Sequence, residues 1–365
     1  GLCLCGLELL PEALLGARWR PNGRRPIAAS GGTRRGVGGA QMAYEGWRMS
    51  RVELRELLNK YERAVEEDAF GLLRPSKLER QMLGEVVVTK RAEAVKQARD
   101  VNRRFIEAVV DDLADLCGGP EDVPSRPTCE FRVLDEKVPT LPASSYGSIA
   151  STFLHLFRDW SSQCTHVHSG TYARAIEELG KLVPPGAEVL VPGAGLARLA
   201  ADIAARGYNV EANEASRLFL TFADYALNRA PAAGSTLYPM AHVFSENFSH
   251  EQQYMQISVP TPTPVEIAAQ GTAAEAGKPA FSMVPGDFAK LYCKGGAGHR
   301  KFDAIVTCFF VDTVTDICEL VQVMDGLLAE GGVWINIGPL NWRKEARMKL
   351  NWDEVLALWR GLGYE

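Results

Sequence analysis

With 365 residues the chain has room for one large domain plus a smaller one, or for a single elaborated domain. Its 46% hydrophobic and 23% charged content is ordinary for a globular protein, and a net charge of -5 excludes the global basic footprint of a nucleic-acid binder. No apolar run reaches the ~18 residues that a membrane helix needs, so neither nucleic acid nor membrane is an expected partner.

Residues 1–41 hold six arginines against Glu8 and Glu12, with a Gly/Ser/Thr/Arg-rich stretch over 30–40. The segment reads equally as an organelle transit peptide or as sequence upstream of a start at Met42, and in either case as a disordered leader outside the fold. Residues 42–117 follow as a helical subdomain. Val52, Leu54, Leu57, Leu58 and Tyr61 recur at helical spacing, and Val95, Ala98, Val101, Phe105, Val109 and Leu113 repeat the pattern. Met82–Val88 suits helix or strand. Gly118, Gly119, Pro120, Pro124, Pro127, Pro139 and Pro142 make 118–145 a linker or surface loop.

From 146 to 365 the pattern changes. Helix signals over 148–160 and 171–182 precede an alternation of strands and helices, which implies an α/β, doubly wound parallel sheet. Glu188–Val191 is continuous and apolar, as a buried parallel strand should be. A glycine turn follows, then a helix over 196–206, a strand over 209–214 and a helix over 216–227. Residues 230–280, with Pro260, Pro262 and Pro264, interrupt the alternation as a long loop. It resumes with a strand from Phe281, a strand over 302–310, a helix over 314–328, a turn at Gly331-Gly332 and a last strand over 333–337.

Chemistry gathers at the carboxyl ends of these strands. Gly193-Ala194-Gly195 lies between a buried strand and a helix, where glycine lets backbone approach a ligand closely. A strict dinucleotide fingerprint would want glycine at 198, but Arg198 stands there, which speaks against a nicotinamide oxidoreductase. A tight structural turn is the plainer alternative. Glu214 ends the second strand, placed to accept from both hydroxyls of a ribose or simply to favour a helix N-terminus. Asp287 and Phe288 close the next strand, where an acid and an aromatic suit an adenine; Asp is also common in turns. Asp312 follows the strand over 302–310 and faces either a ligand or a helix N-terminus as its cap. Eight cysteines form no CxxC pair, and His166 and His168 make one HxH, so reduced thiols and no metal are expected.

Taken together, Val189–Leu199 with Asn213-Glu214 resemble the carnosine N-methyltransferase family, also called N2227-like. So do Phe157-Arg158-Asp159-Trp160, Tyr238-Pro239 with His242, Phe244 and Ser245, and Thr307-Cys308-Phe309-Phe310-Val311-Asp312-Thr313. Trp334–Leu340 extends the likeness. The resemblance implies a Rossmann-like class I methyltransferase sheet and methyl transfer from S-adenosyl-L-methionine to an imidazole nitrogen of carnosine, giving anserine. It implies cofactor contacts at His155, Arg158, Gly193, Gly195, Glu214, Asp287, Phe288 and Cys308. It places Asp312 as the catalytic residue, with His242 and Arg343 also near the acceptor, a small histidine-containing dipeptide. A homodimer and a cytoplasmic or nuclear location are the matching expectations, with an organelle the alternative if 1–41 is a transit peptide.

The chain departs from the family at three places. His155 stands where the family has glutamine, Val167-His168 where it has Glu-Arg, and Arg343 where it has an acceptor-contacting histidine. The family's final strands, with a further substrate tyrosine, lie beyond Glu365, so the C-terminus reads as truncated. The departures leave two alternatives open: another acceptor such as a protein histidine, or an inactive cofactor-binding interaction protein.

Overall fold

The computed structural model describes residues 14–18, 46–115, 128–137, 140, 148–245, 247, 249–269 and 281–365. Most of the expected loop over 118–145, the part of loop 230–280 from 270 on, and the leader apart from 14–18 lie outside the described residues.

Seven strands form the main sheet in the order β1 (Leu14–Arg18), β9 (Leu328–Ile337), β8 (Phe302–Cys308), β3 (Glu188–Pro192), β4 (Asn209–Glu214), β7 (Phe281–Pro285), β2 (Glu130–Phe131). All neighbours are parallel except β1 and β9, which run antiparallel. From β3 the chain moves outward to β4 and β7, then crosses back to β8 and β9. The order therefore reverses between β3 and β8, which is where an open sheet leaves a crevice at its carboxyl edge. Val189, Leu190 and Val191 in β3 and Ile305 and Val306 in β8 are buried, as continuous apolar runs covered on both faces must be. The sheet is thus the doubly wound one that the alternation predicts.

Four details differ from the sequence expectation. Leu14–Arg18, left outside the fold on composition, pairs with 333–337 at the sheet edge. Within 118–145, Glu130–Phe131 adds to β7. The expected loop 230–280 contains an antiparallel pair, β5 (Ser235–Leu237) with β6 (Ile257–Val259), whose Leu237, Ile257 and Val259 are buried. Gly331 and Gly332 sit inside β9 rather than before it, where the register against β8 shifts between Phe302 and Ala304. Between these two pairs β9 advances from Leu328 to Val333 while β8 advances from Phe302 to Ala304, and Gly331 takes up the irregularity at a positive φ of 77°.

The helical subdomain consists mainly of α1 (Arg51–Asp68) and α2 (Glu85–Asp115). Ser50 and Glu53 form a capping box at the start of α1. Glu53 also pairs with Arg217 (2.7 Å), Arg48 pairs with Asp224 (2.6 Å), and Met49 N donates to Thr221 Oγ1 (3.0 Å). These contacts bind the subdomain to the helix Arg217–Asp224 that follows β4. Asn102, fully buried in α2, donates to Tyr61 Oη (3.0 Å) and Tyr238 O (2.9 Å) and accepts from Tyr238 N (2.8 Å). One side chain thereby joins both long helices to the β5 region.

Candidate active site

A cavity of about 450 Å³ opens at the crevice between the carboxyl ends of β3 and β8. Gly193 and Gly195 after β3, Glu214 at the end of β4, and Asp287 and Phe288 after β7 all line it. Cys308 at the end of β8 does too, as do His155 and Arg158 from α3 (Ile149–Trp160) and Arg343 from the run after β9. The residues expected to hold the cofactor, separated by up to 153 positions in the sequence, are brought to the lining of one cavity.

The glycine turn is tied to Glu214. Gly195 N donates to Glu214 Oε2 (2.9 Å), while Ala215 N and Ser216 N donate to Oε1 (2.9 and 2.8 Å). Burial pushes the Glu214 carboxyl up from its ordinary range, opposed by these three amides and by the charge of Arg343. A carboxylate has about four lone-pair sites, so a further donor can still be accepted. Gly193 (φ 62°) and Gly195 (φ 58°) both adopt left-handed backbone. A Cβ on Gly193 would lie 2.2 Å from the Phe310 ring, whereas one on Gly195 would meet nothing nearer than Arg158 Nη2 at 4.0 Å. The first glycine accommodates Phe310; the second leaves space on the cavity side.

α3 presents Arg158 to this space on a rigid mount. Its Nε and Nη2 donate to Asp159 Oδ1 and Oδ2 (2.6 and 3.0 Å), Tyr172 Oη donates to Asp159 Oδ1 (2.6 Å), and the guanidinium lies 5.3 Å from the Phe309 ring centre. Burial works against the Asp159 charge, but Arg158 and the Tyr172 hydroxyl hold its carboxyl below the usual range. Arg198 closes the frame: its Nη1 donates to Asp159 O (2.9 Å), and Trp160 Nε1 donates to Leu196 O (3.0 Å). His168 Nε2 lies 2.5 Å from Arg158 O. His168 of the HxH is therefore a backbone support while His166 is exposed, and no cluster of three His, Cys, Asp or Glu gathers as a metal site among the described residues.

His155 Nδ1 lies 2.7 Å from Ser151 O, which can only accept, so Nδ1 carries the hydrogen and Nε2 the lone pair. Burial, with Arg158 beside it, lowers its pKa to about 4, and the ring rests 4.7 Å from that of Phe219. Asp287 caps the helix Phe288–Tyr292 by accepting from Lys290 N (3.0 Å). Phe288 stacks on Tyr292 at 5.0 Å and meets Phe310 edge-on at 5.8 Å. Burial raises the Cys308 thiol to about 12, so it stays protonated.

Asp312 lies in the single turn Val311–Thr313 and is 7% exposed. It is not the helix cap that position alone allowed, since Asp316 caps Ile317–Leu327 by accepting from Cys318 N and Glu319 N. Asp312 Oδ2 instead accepts from Asn341 N (2.8 Å); Asp312 itself, expected to face the acceptor, is not among the residues lining the cavity, whose wall at this turn is made by its neighbours Phe310, Thr313, Val314 and Asp316. Burial raises its carboxyl, opposed by the Asn341 amide and the Arg343 charge.

His242, expected near the acceptor, is not brought to this cavity. Its ring meets Tyr61 of α1 at 5.9 Å, and its Nδ1 is buried without a hydrogen-bond partner among the described residues. Tyr238 and Ala241 pack on α2, which draws the segment beneath the helical subdomain. Sequence reasoning also missed Ser151, Phe219 and Thr313–Asp316 in the cavity wall. Of these, only the last lay next to a residue already singled out.

A doubly wound sheet with a cavity at its reversal point, walled by a glycine turn and a strand-end acid, defines an α/β protein whose candidate ligand site lies at the carboxyl edge of the sheet. Residues 137–365 match the family model for carnosine N-methyltransferase, and the chain belongs to that family. Carnosine N-methyltransferase of Schizosaccharomyces pombe is 35% identical over 206 residues, covering 54% of this chain and 53% of that protein. The protein of the same name from Mus musculus is 32% identical over 229 residues, covering 59% and 54%. The chain thus spans about half the length of the curated relatives it matches. A solved phosphoethanolamine N-methyltransferase 2 from Haemonchus contortus overlaps weakly, at TM-score 0.33 and 12% identity over 59% of this chain and 40% of that one, and adds nothing to the argument.

Proposed function

We propose that the cavity binds S-adenosyl-L-methionine and that the chain transfers its methyl group to an imidazole nitrogen of carnosine or a related histidine-containing dipeptide. One observation carries the reading. In a member of this family, the glycine turn and Glu214 are hydrogen-bonded to each other on the wall of a cavity at the sheet's reversal point. The residues fit the cofactor. Glu214 accepts from ribose hydroxyls, Asp287 takes the adenine amine, and Phe288 covers the ring. Arg158 offers the methionine carboxylate the donors that Asp159 does not use, and the lone pair of His155 accepts from the amino group. When bound, the cofactor supplies an electrophilic methyl group on a positively charged sulfur.

The chain's own task is alignment. The acceptor ring must be neutral, which it is above a pKa of about 6.5. Asp312 accepts the N–H of one ring nitrogen, so that the other presents its lone pair, and its charge stabilises the ring as it becomes cationic. Orientation of this kind supplies about 7–11 kcal/mol at best.

Purified protein incubated with methyl-labelled cofactor tests the reading. Label is expected in carnosine and not in anserine, whose ring is already methylated. Asp312→Ala should lower kcat by about 100-fold or more while S-adenosylhomocysteine still binds. Cofactor binding without transfer to carnosine, free histidine or a histidine peptide would contradict the reaction, and full turnover by Asp312→Ala would contradict the role of that residue.

A further inference from the structure

The last turn of α3 is gripped from three later segments. A helix end leaves carbonyls without intrahelical partners. Here Arg158 O lies 2.5 Å from His168 Nε2, Asp159 O accepts from Arg198 Nη1 (2.9 Å) and Trp160 O accepts from Thr261 N (2.7 Å). His168 opens a π-helical turn, His168–Tyr172, set between the helical residues Thr165–Val167 and the helix Ala173–Leu182. Such turns are uncommon and gather at functional sites. This one stacks the His168 and Tyr172 rings at 5.3 Å. One ring then meets the backbone of α3 and the other meets its acid, since Tyr172 Oη donates to Asp159 Oδ1 (2.6 Å). Tyr172 and Asp159 are 4% and 1% exposed, and neither lines the cavity. Arg158 does line it, and spends two of its five N–H groups on Asp159 through Nε and Nη2. Its Nη2 stands 4.0 Å from where a Cβ on Gly195 would lie, so the guanidinium borders the glycine turn. A planar guanidinium held along one edge presents its other edge in a fixed direction.

We propose that Tyr172 is a positioning residue: through Asp159 it fixes the Arg158 guanidinium so that the free edge binds the carboxylate on the amino-acid tail of the ligand. The proposal rests on the methyl-donor reading of the cavity. Without the Tyr172 hydroxyl, Asp159 Oδ1 is held by Arg158 alone, and the two side chains can swing together. A two-point pairing of guanidinium with carboxylate depends on geometry, and a fork ordered before the ligand arrives need not be ordered on binding. The unit therefore recognises the tail of the ligand and not its nucleoside.

Calorimetry with two probes separates tail from nucleoside. S-adenosylhomocysteine has both; 5′-methylthioadenosine keeps the nucleoside and its sulfur and lacks the amino-acid tail. The weaker ligand is measured by displacement. Wild type should favour S-adenosylhomocysteine by about 10-fold or more, as expected for charge-assisted hydrogen bonds. Tyr172→Phe should weaken S-adenosylhomocysteine by about 3- to 10-fold and leave methylthioadenosine unchanged, whereas a general loosening of the fold would weaken both alike. Arg158→Lys removes the fork, so adding Tyr172→Phe to it should weaken S-adenosylhomocysteine no further. Additive losses in the double variant, equal losses for the two probes, or no loss in Tyr172→Phe overturns the assignment. If Arg158→Lys does not fold, the comparison of the two probes decides. Equal affinity of wild type for the two probes also overturns the assignment while leaving the nucleoside site standing. Binding of neither probe by wild type contradicts the reading of the cavity, and the assignment with it.

Discussion

Arg198 occupies the position where a dinucleotide fingerprint would have glycine, and its contacts show what the larger side chain does there. It reaches across to Asp159 O and back to Asp202, so that the residue after the glycine turn locks the turn to α3. His242 teaches the opposite lesson. Its place in a family-like run marks it as an acceptor contact, yet its ring lies half-buried against Tyr61 of α1, in a segment whose Tyr238 and Ala241 pack on α2. Burial lowers its pKa to about 4, with Asp68 opposing the shift. The depressed value sets the sign of its effect on stability. The contribution is complete above the unfolded pKa of about 6.5 and is lost as pH falls toward 4, a difference on the order of 3 kcal/mol. His242→Phe keeps a ring beside Tyr61 and removes the titration, so denaturant midpoints measured between pH 7 and 4 should fall less steeply than in wild type. An identical slope would mean that His242 titrates normally.

At the scale of elements, α3 is the part of the cavity wall that the sheet does not itself supply. Arg158, Asp159 and Tyr172 form one hydrogen-bonded unit that joins α3 to the helix Ala173–Leu182. Asp159→Asn leaves the Arg158 charge buried without its counter-charge, and breaking a buried pair from one side costs about 3–5 kcal/mol. Tyr172→Phe removes one hydrogen bond and should cost about 1 kcal/mol, or somewhat more because the bond is to a charged group. Urea unfolding of the two variants should therefore rank them in that order; equal losses would show that the pair is not the centre of the unit. Sequence periodicity marks α3 as a helix and the short motif over 157–160 marks it as significant. Neither could reveal that Tyr172 and Arg198, from later elements, complete it.

For the molecule as a whole, the legible parts were those written locally. β3, β4, β7 and β8 are compact apolar runs, the glycines follow β3 directly, and strand ends carry Glu214, Asp287 and Cys308. The parallel sheet follows from that alternation, and with it the strand ends that wall the cavity, whereas the reversal between β3 and β8 is set by the strand order. What escaped depends on partners far apart in sequence. β5 and β6 are three residues each and are held by burial of Leu237, Ile257 and Val259, not by a strand-like pattern. The two glycines in β9 look like a turn until the β8 register shows a shift within the strand. Asp312 and Asp316 are four positions apart and equally suited to capping, and only the helix start at Ile317 assigns the cap to Asp316. The ring of Phe310 over Gly193 is a contact between two strand ends that no single segment encodes.

The account turns on an adenosyl ligand held by the glycine turn and Glu214. Calorimetric titration of S-adenosylhomocysteine into wild type and Glu214→Ala measures this directly. Saturable one-to-one binding is predicted for wild type, weakened by about 10- to 100-fold in the variant, as loss of hydrogen bonds to a charged group implies. No heat of binding in the wild-type protein, or equal affinity in the two, would contradict the central claim.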